Sequence, residues 1–169
     1  MIYVSGKMKG KRGVNVRVVK IISFLRKRVS IIAHSGTNYQ VEITNGRHHI
    51  IADEPLGTGD DMGPSPYELL LSALAACKII TVQMYARRKD WPLENVKNSL
   101  DIQKVHARDC EDCVSDPNSK VDSIECQIEF EGKLTPEQIA RLAQISERCP
   151  VHRTLTSETK IRTSVGEVA

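Results

Sequence analysis

The stretch from Ser65 to Arg88 constrains the fold more than any other, because it reads as one helix with apolar side chains on almost every face. Its start is well marked. Ser65, Pro66 and Glu68 form a capping-box pattern, with proline at the first helical position, where its missing N–H is no loss. Apolar residues then run round the helix to Tyr85, and Arg87, Arg88 and Lys89 close it where positive charge suits the helix dipole. A helix that is apolar all round must be covered all round. One small sheet cannot cover it, so the helix is expected at the centre of an intertwined homodimer. Its longest apolar run, around Leu69 to Ala76, is shorter than a bilayer core, so no membrane span is expected.

The flanking segments carry two further patterns. Tyr39 to Ile43 alternates, Asn45-Gly46 offers two turn positions tolerant of positive φ, and His48 to Ala52 continues, which predicts a hairpin. An acidic, glycine-rich loop from Asp53 to Gly63 follows. Val96 to Val105 and Val121 to Glu131 predict strands, the second with Ile124, Cys126, Ile128 and Phe130 on one face. Thr135, Pro136 and Gln138 repeat the capping box and open a helix with Ile139, Leu142, Ala143 and Ile145 on one side, which Pro150 is expected to stop. Lys160 to Val165 reads as a last strand. The resulting order, ββ-α-ββ-α-β, lacks a helix between every pair of strands. The expected class is therefore α+β, with antiparallel sheets around the central helix, and not a doubly wound parallel sheet.

The net charge of +3 conceals two regions of opposite sign. Residues 1–28 hold nine Lys or Arg and no acid, while residues 29–169 hold 15 basic residues against 21 acidic ones, a net of −6. The chain divides accordingly into a basic segment, 1–28, and one domain, 29–169, long enough for its own core. The basic segment admits four readings: a disordered tail, an over-extended start, a mitochondrial-type presequence, or an arm for nucleic acid or membrane. The acidic body argues against nucleic acid as its partner. Five cysteines are an odd number and too few for a disulfide-stapled secreted scaffold, and Lys20 interrupts the one stretch resembling a signal peptide, Val18 to Leu25. A cytoplasmic protein with mostly reduced thiols is expected.

The cysteines hold the chemistry. Cys77 lies in the greasy helix, where a free cysteine packs as a small hydrophobe and burial leaves its thiol inert. Three turns in, it gains nothing from the helix N-terminus, so a reactive Cys77 requires a cation from elsewhere: Arg47, Arg148, Arg153 or His152. Cys149, in Arg148-Cys149-Pro150-Val151-His152-Arg153, has polar neighbours and reads either as a packed helix-end residue or as a reactive thiol. Glu68 reads as the cap partner of Ser65 and, compatibly, as a carboxylate that orients an activating arginine. Cys126 reads as strand core. His106, Cys110 and Cys113 give His-x3-Cys-x2-Cys in a polar loop. That spacing suits zinc, a labile disulfide or a solvated loop, and a closed zinc site lacks its fourth ligand. Being far in sequence from both helix thiols, Cys110 and Cys113 are expected to be dispensable for chemistry at them.

Gly-Pro-Ser-Pro-Tyr-Glu-Leu-Leu-Leu-Ser-Ala-Leu-Ala-Ala-Cys (63–77), Met84-Tyr85-Ala86, Trp91-Pro92-Leu93 and Arg-Cys-Pro-Val-His-Arg-Thr-Leu (148–155) resemble the OsmC/Ohr family of thiol-dependent peroxidases. The likeness spans roughly residues 37–165. It implies an α+β intertwined homodimer with active sites at the subunit interface. It implies Cys77 as the thiol that attacks an organic hydroperoxide and Cys149 as the resolving thiol. A small dithiol of dihydrolipoyl type would then reduce the pair, with no cofactor required. Two departures mark a divergent branch. Tyr67 separates Pro66 from Glu68, and no arginine stands in the first strand region near His34 to Gly36, leaving Arg47 as the nearest substitute. The rival reading is a non-catalytic protein of the same fold that senses redox state or binds zinc or a small ligand.

Overall fold

The computed structural model describes residues 29–166. The readings of the basic segment 1–28 therefore lie outside the described residues. From Ile31 on, the described residues form one compact unit.

Its first sheet is an antiparallel meander of three short strands, β1 (Ile32–Ser35), β2 (Val41–Thr44) and β3 (His49–Ala52). The expected hairpin is β2–β3, with Ile43 opposite Ile50. β1 is an addition that the sequence pattern did not suggest, and it pairs Ala33 with Ile43. In the β2–β3 turn Gly46 alone takes positive φ, at 84°. Asn45 acts instead through its side chain, whose Oδ1 accepts the N–H groups of Arg47 and His48 at 3.0 and 2.9 Å.

The loop from Asp53 to Gly63 is tied down from within. The buried Asp53 carboxylate accepts the N–H groups of Glu54, Asp60 and Met62 at 2.8, 3.2 and 3.1 Å. At Gly63 the chain passes so close to β3 that a Cβ would sit 2.1 Å from the Ile51 carbonyl oxygen, so only glycine fits. Asp53→Ala strands three N–H groups at once. It is expected to lower stability by roughly 2–4 kcal/mol, read as a shift of the urea midpoint with the slope unchanged.

α1 (Pro66–Arg88) follows, with the Ser65 N–H and hydroxyl both donating to Glu68 Oε2 at 2.7 and 2.8 Å. It leads into a long antiparallel pair, β4 (Leu93–His106) and β5 (Lys120–Gly132), joined by a loop that begins with a 3-10 turn at Ala107–Asp109. On β5, Ile124, Cys126, Ile128 and Phe130 are half-buried and alternate with exposed residues, as the pattern predicts. α2 (Pro136–Ser146) carries the second capping box, with Thr135 N–H donating to Gln138 Oε1 at 2.9 Å. The core forms where α1, β4 and α2 meet: Val82, Ala86, Val96, Leu142 and Ile145, with Trp91, Ile128 and Phe130 packed around them.

Three expectations change. Pro150 does not merely follow the end of α2. It opens a short helix, α3 (Pro150–Leu155), at the N1 position where proline is preorganised. Lys160 to Val165 forms no strand, and Ile161 and Val165 are exposed, because no strand edge within the described residues pairs with it. α1 is not covered all round. It buries one stripe, Leu74, Lys78, Val82 and Ala86, while Tyr67, Ile80 and Met84 remain exposed. The helix has the length expected of it, but as a whole, at 23 residues, it is long and apolar enough to cross a membrane, which its apolar run alone did not suggest. Its packing against β4, α2 and α3 and its ion-paired lysine are those of a core helix.

Candidate redox site

Two helices bring distant sulfurs together. Cys77 lies in the middle of α1, half-buried, and Cys149 is the N-cap residue of α3, fully buried at 0% exposure. Although 72 positions separate them in the chain, the Cys77 thiol lies near enough to Cys149 to act on its titration. Both are free thiols. The Cys149 sulfur accepts the N–H of His152 at 3.2 Å, as an N-cap side chain does. Burial pushes the Cys149 pKa up and the Cys77 thiol beside it adds to that. The His152 N–H and the charge of Lys78 pull it down, and the net shift is upward.

The cation at these thiols is one that the sequence reading did not consider. Lys78 follows Cys77 directly and its side chain is 3% exposed. Its Nζ donates to Glu147 Oε1 at 2.7 Å, and Glu147 Oε2 lies 3.3 Å from His152 Nδ1. Ser146 Oγ donates to the Ala143 carbonyl at 2.7 Å and to Glu147 Oε1 at 3.3 Å, which fixes the carboxylate between them. Burial acts to raise the Glu147 pKa, but the Lys78 hydrogen bond and charge, with His152, outweigh it and hold the carboxyl below its ordinary range. A buried lysine needs such a partner. The clue was available: Lys78 is the one charged residue between Glu68 and Arg87.

Beside this network is a cavity of about 400 Å³. Lys78, Glu147 and His152 line it, together with Leu74, Leu155 and, from β5, Ile124 and Cys126. Burial pushes the Cys126 thiol pKa up, against the pull of Lys78. The far wall is the loop after β4. Cys110 and Cys113 close a disulfide there and line the same cavity. The pair that seemed remote in sequence thus folds over the network. Cys110, Asp112 and Cys113 present their ligand atoms within 4.8 Å of one another, but His106 is not part of that group, and its Nδ1 is buried without a hydrogen-bond partner. With both sulfurs in a disulfide, no thiolate is offered to a metal.

The other candidates lie elsewhere. Glu68 is engaged by Ser65, whose backbone and then side-chain hydrogen bonds lower its pKa, and no cation pairs with it among the described residues. Arg47 sits exposed in the β2–β3 turn, which the fold of one chain does not carry to α1. Arg148 and Arg153 are exposed, Arg148 on the rim of an open groove with Met84, Tyr85 and Arg141. Of the four cations proposed for Cys77, the structure brings only His152 into the network, and Lys78 joins it.

Residues 57–164 match the family model described as OsmC-like protein. Among solved structures, an OsmC-like protein from Mycoplasma pneumoniae superposes with a TM-score of 0.57 at 23% identity, over 78% of this chain and 89% of that one. An organic hydroperoxide resistance protein OsmC from Legionella pneumophila gives 0.54 at 21% identity, over 75% and 88%. An organic hydroperoxide resistance protein from Elizabethkingia anophelis gives 0.57 at 16%, over 76% and 88%. At these identities the likeness establishes a shared α+β fold. A search of curated proteins finds no match.

Proposed function

The chain belongs to the OsmC-like protein family, and from that premise we propose that it is a homodimeric, cytoplasmic thiol peroxidase acting on organic hydroperoxides. The observation that carries this reading is the meeting of Cys77 with Cys149 beside the buried Lys78. The Cys77 thiolate attacks the peroxide O–O bond, takes one oxygen as a sulfenic acid and releases an alcohol, which gains a proton. Cys149 then attacks the sulfenic sulfur, closing a disulfide and releasing water. A dithiol of dihydrolipoyl type restores both thiols and leaves as its own disulfide. All redox chemistry resides in sulfur, so the cycle needs no cofactor. Lys78 takes the part expected of an arginine as the cation beside the two thiols, its charge pulling the Cys149 pKa down against burial. The names of the Legionella and Elizabethkingia neighbours support the substrate class.

The test is consumption of cumene hydroperoxide by the reduced protein with dihydrolipoamide. Turnover is expected. Absence of peroxide consumption in a folded, fully reduced protein would leave the rival reading, a non-catalytic module that senses redox state or takes zinc or a small ligand. The apolar part of the cavity lining, Leu74, Val121, Ile124 and Leu155, favours that rival.

The uncovered side of α1 supports the homodimer. Tyr67, Ile80 and Met84 are large, apolar and exposed on a helix otherwise built for a core. Full-length protein is expected to sediment as a dimer. Ile80→Glu should weaken association by roughly tenfold or more, since it buries an unpaired charge at the contact. A wild-type monomer at micromolar concentration would remove the dimer from the proposal.

A further inference from the structure

Three sets of cysteines lie around the Lys78–Glu147 pair: Cys110 and Cys113 line the cavity beside it, as does Cys126, while Cys149 borders it through His152, whose N–H its sulfur accepts. Cys149 is fully buried with Cys77 against it. Cys126 lies in the cavity wall and has no vicinal cysteine, so it cannot store a disulfide. Cys110 and Cys113 line the cavity from a loop whose flanking residues, Glu111, Asp112 and Val114, are exposed. A bulky reductant therefore reaches the half-buried loop pair more easily than the fully buried Cys149.

We propose that Cys110 and Cys113 are a second redox centre, an internal dithiol that takes the disulfide from Cys77 and Cys149 and presents it to an external dithiol at the surface. The proposal rests on the peroxidase reading for the source of the first disulfide. The thiolate of one loop cysteine attacks a sulfur of the Cys77–Cys149 bond, forming a mixed disulfide and freeing the other sulfur as a thiolate. The second loop cysteine gives up its proton and attacks the mixed bond. Cys110–Cys113 closes, and the remaining helix sulfur leaves and is protonated. One disulfide breaks and one forms, with no net gain or loss of electrons in the protein. The external dithiol then reduces Cys110–Cys113 by the same exchange. The charge of Lys78 stabilises each departing thiolate on the helix side.

Full-length protein is fully reduced, freed of reductant, given one equivalent of cumene hydroperoxide and alkylated at successive times for peptide mapping. The Cys77–Cys149 disulfide should rise first, then decay at the rate at which Cys110–Cys113 rises. In the double variant Cys110→Ser, Cys113→Ser it should form at the wild-type rate and persist roughly tenfold longer or more. Equal lifetimes in the two proteins overturn the transfer and leave the peroxidase reading intact. So does a Cys110–Cys113 disulfide that forms at the wild-type rate in Cys77→Ser. If peroxide oxidises neither pair, the peroxidase reading fails by itself. Diamide, which oxidises dithiols without a peroxidase, then generates the first disulfide for the same comparison of lifetimes, with equal lifetimes again decisive against transfer.

Discussion

Cys77→Ser is expected to consume no organic hydroperoxide above the uncatalysed rate, a loss on the order of 10³-fold or more. A hydroxyl in place of the thiolate cannot attack an O–O bond at neutral pH, and no other cysteine holds the same position. Cys126 is separated from a partner thiol, and Cys149 has its pKa raised by burial. Cys149→Ser should behave differently. The first equivalent of peroxide is consumed at nearly the normal rate, because Cys77 is untouched, and the reaction then stalls. Cys77 accumulates as a sulfenic acid, trapped by a dimedone-type reagent, and climbs to sulfinic acid under excess peroxide. The two variants thus separate attack from resolution. Turnover retained in Cys77→Ser, with only Cys110–Cys113 oxidised, would mean that the loop pair is the catalytic centre, and the two-cysteine mechanism would be discarded.

The elements legible in the sequence were those whose signals are local. The capping boxes at Ser65 and Thr135 mark two helix starts because proline at the first helical position and a Glu or Gln at the third satisfy the end N–H groups without help from elsewhere. The Asn45-Gly46 turn and the alternation of β5 are equally self-contained. What failed depended on distant partners. Proline both follows helix ends and opens new helices, and only the position of Cys149 as N-cap decides between them at Pro150. Residues 160–165 have the composition of a strand, but a strand exists only against an edge. The site divides in the same way. Cys77 and Cys149 stood out through their immediate neighbours. The loop that carries Cys110 and Cys113 reaches the cavity only because β4 and β5 stay paired from Asn95 and Glu131 to His106 and Lys120, a tertiary fact. Lys78 was hidden by its position inside an apolar run, where the burial of a charge depends on Glu147 across the fold.

Lys78→Met is expected to slow the reaction of the site with peroxide by on the order of tenfold or more at neutral pH while leaving the protein folded. Methionine keeps the length and apolar stem of the side chain, so packing against Leu74 and Val82 survives. Replacing the cation of a buried pair by an apolar group is often nearly neutral for stability. Here the remaining Glu147 side chain is 55% exposed and regains water. The thiols lose the one charge that pulls against burial at both Cys149 and Cys126. The rate should therefore fall most where thiolate is scarce, and the gap between variant and wild type should narrow as the pH rises. Acid stability gives an independent readout. The Glu147 carboxyl is held below the ordinary value of 4.5, so its pairing stabilises the fold above that value and the contribution is lost as the pH falls through the lowered one. Lys78→Met removes the pairing, so its stability should fall less between neutral and acid pH than that of the wild type. A variant with an unchanged rate across the whole pH range would show that Lys78 serves packing alone, and the cation that activates Cys77 would then have to come from a second subunit.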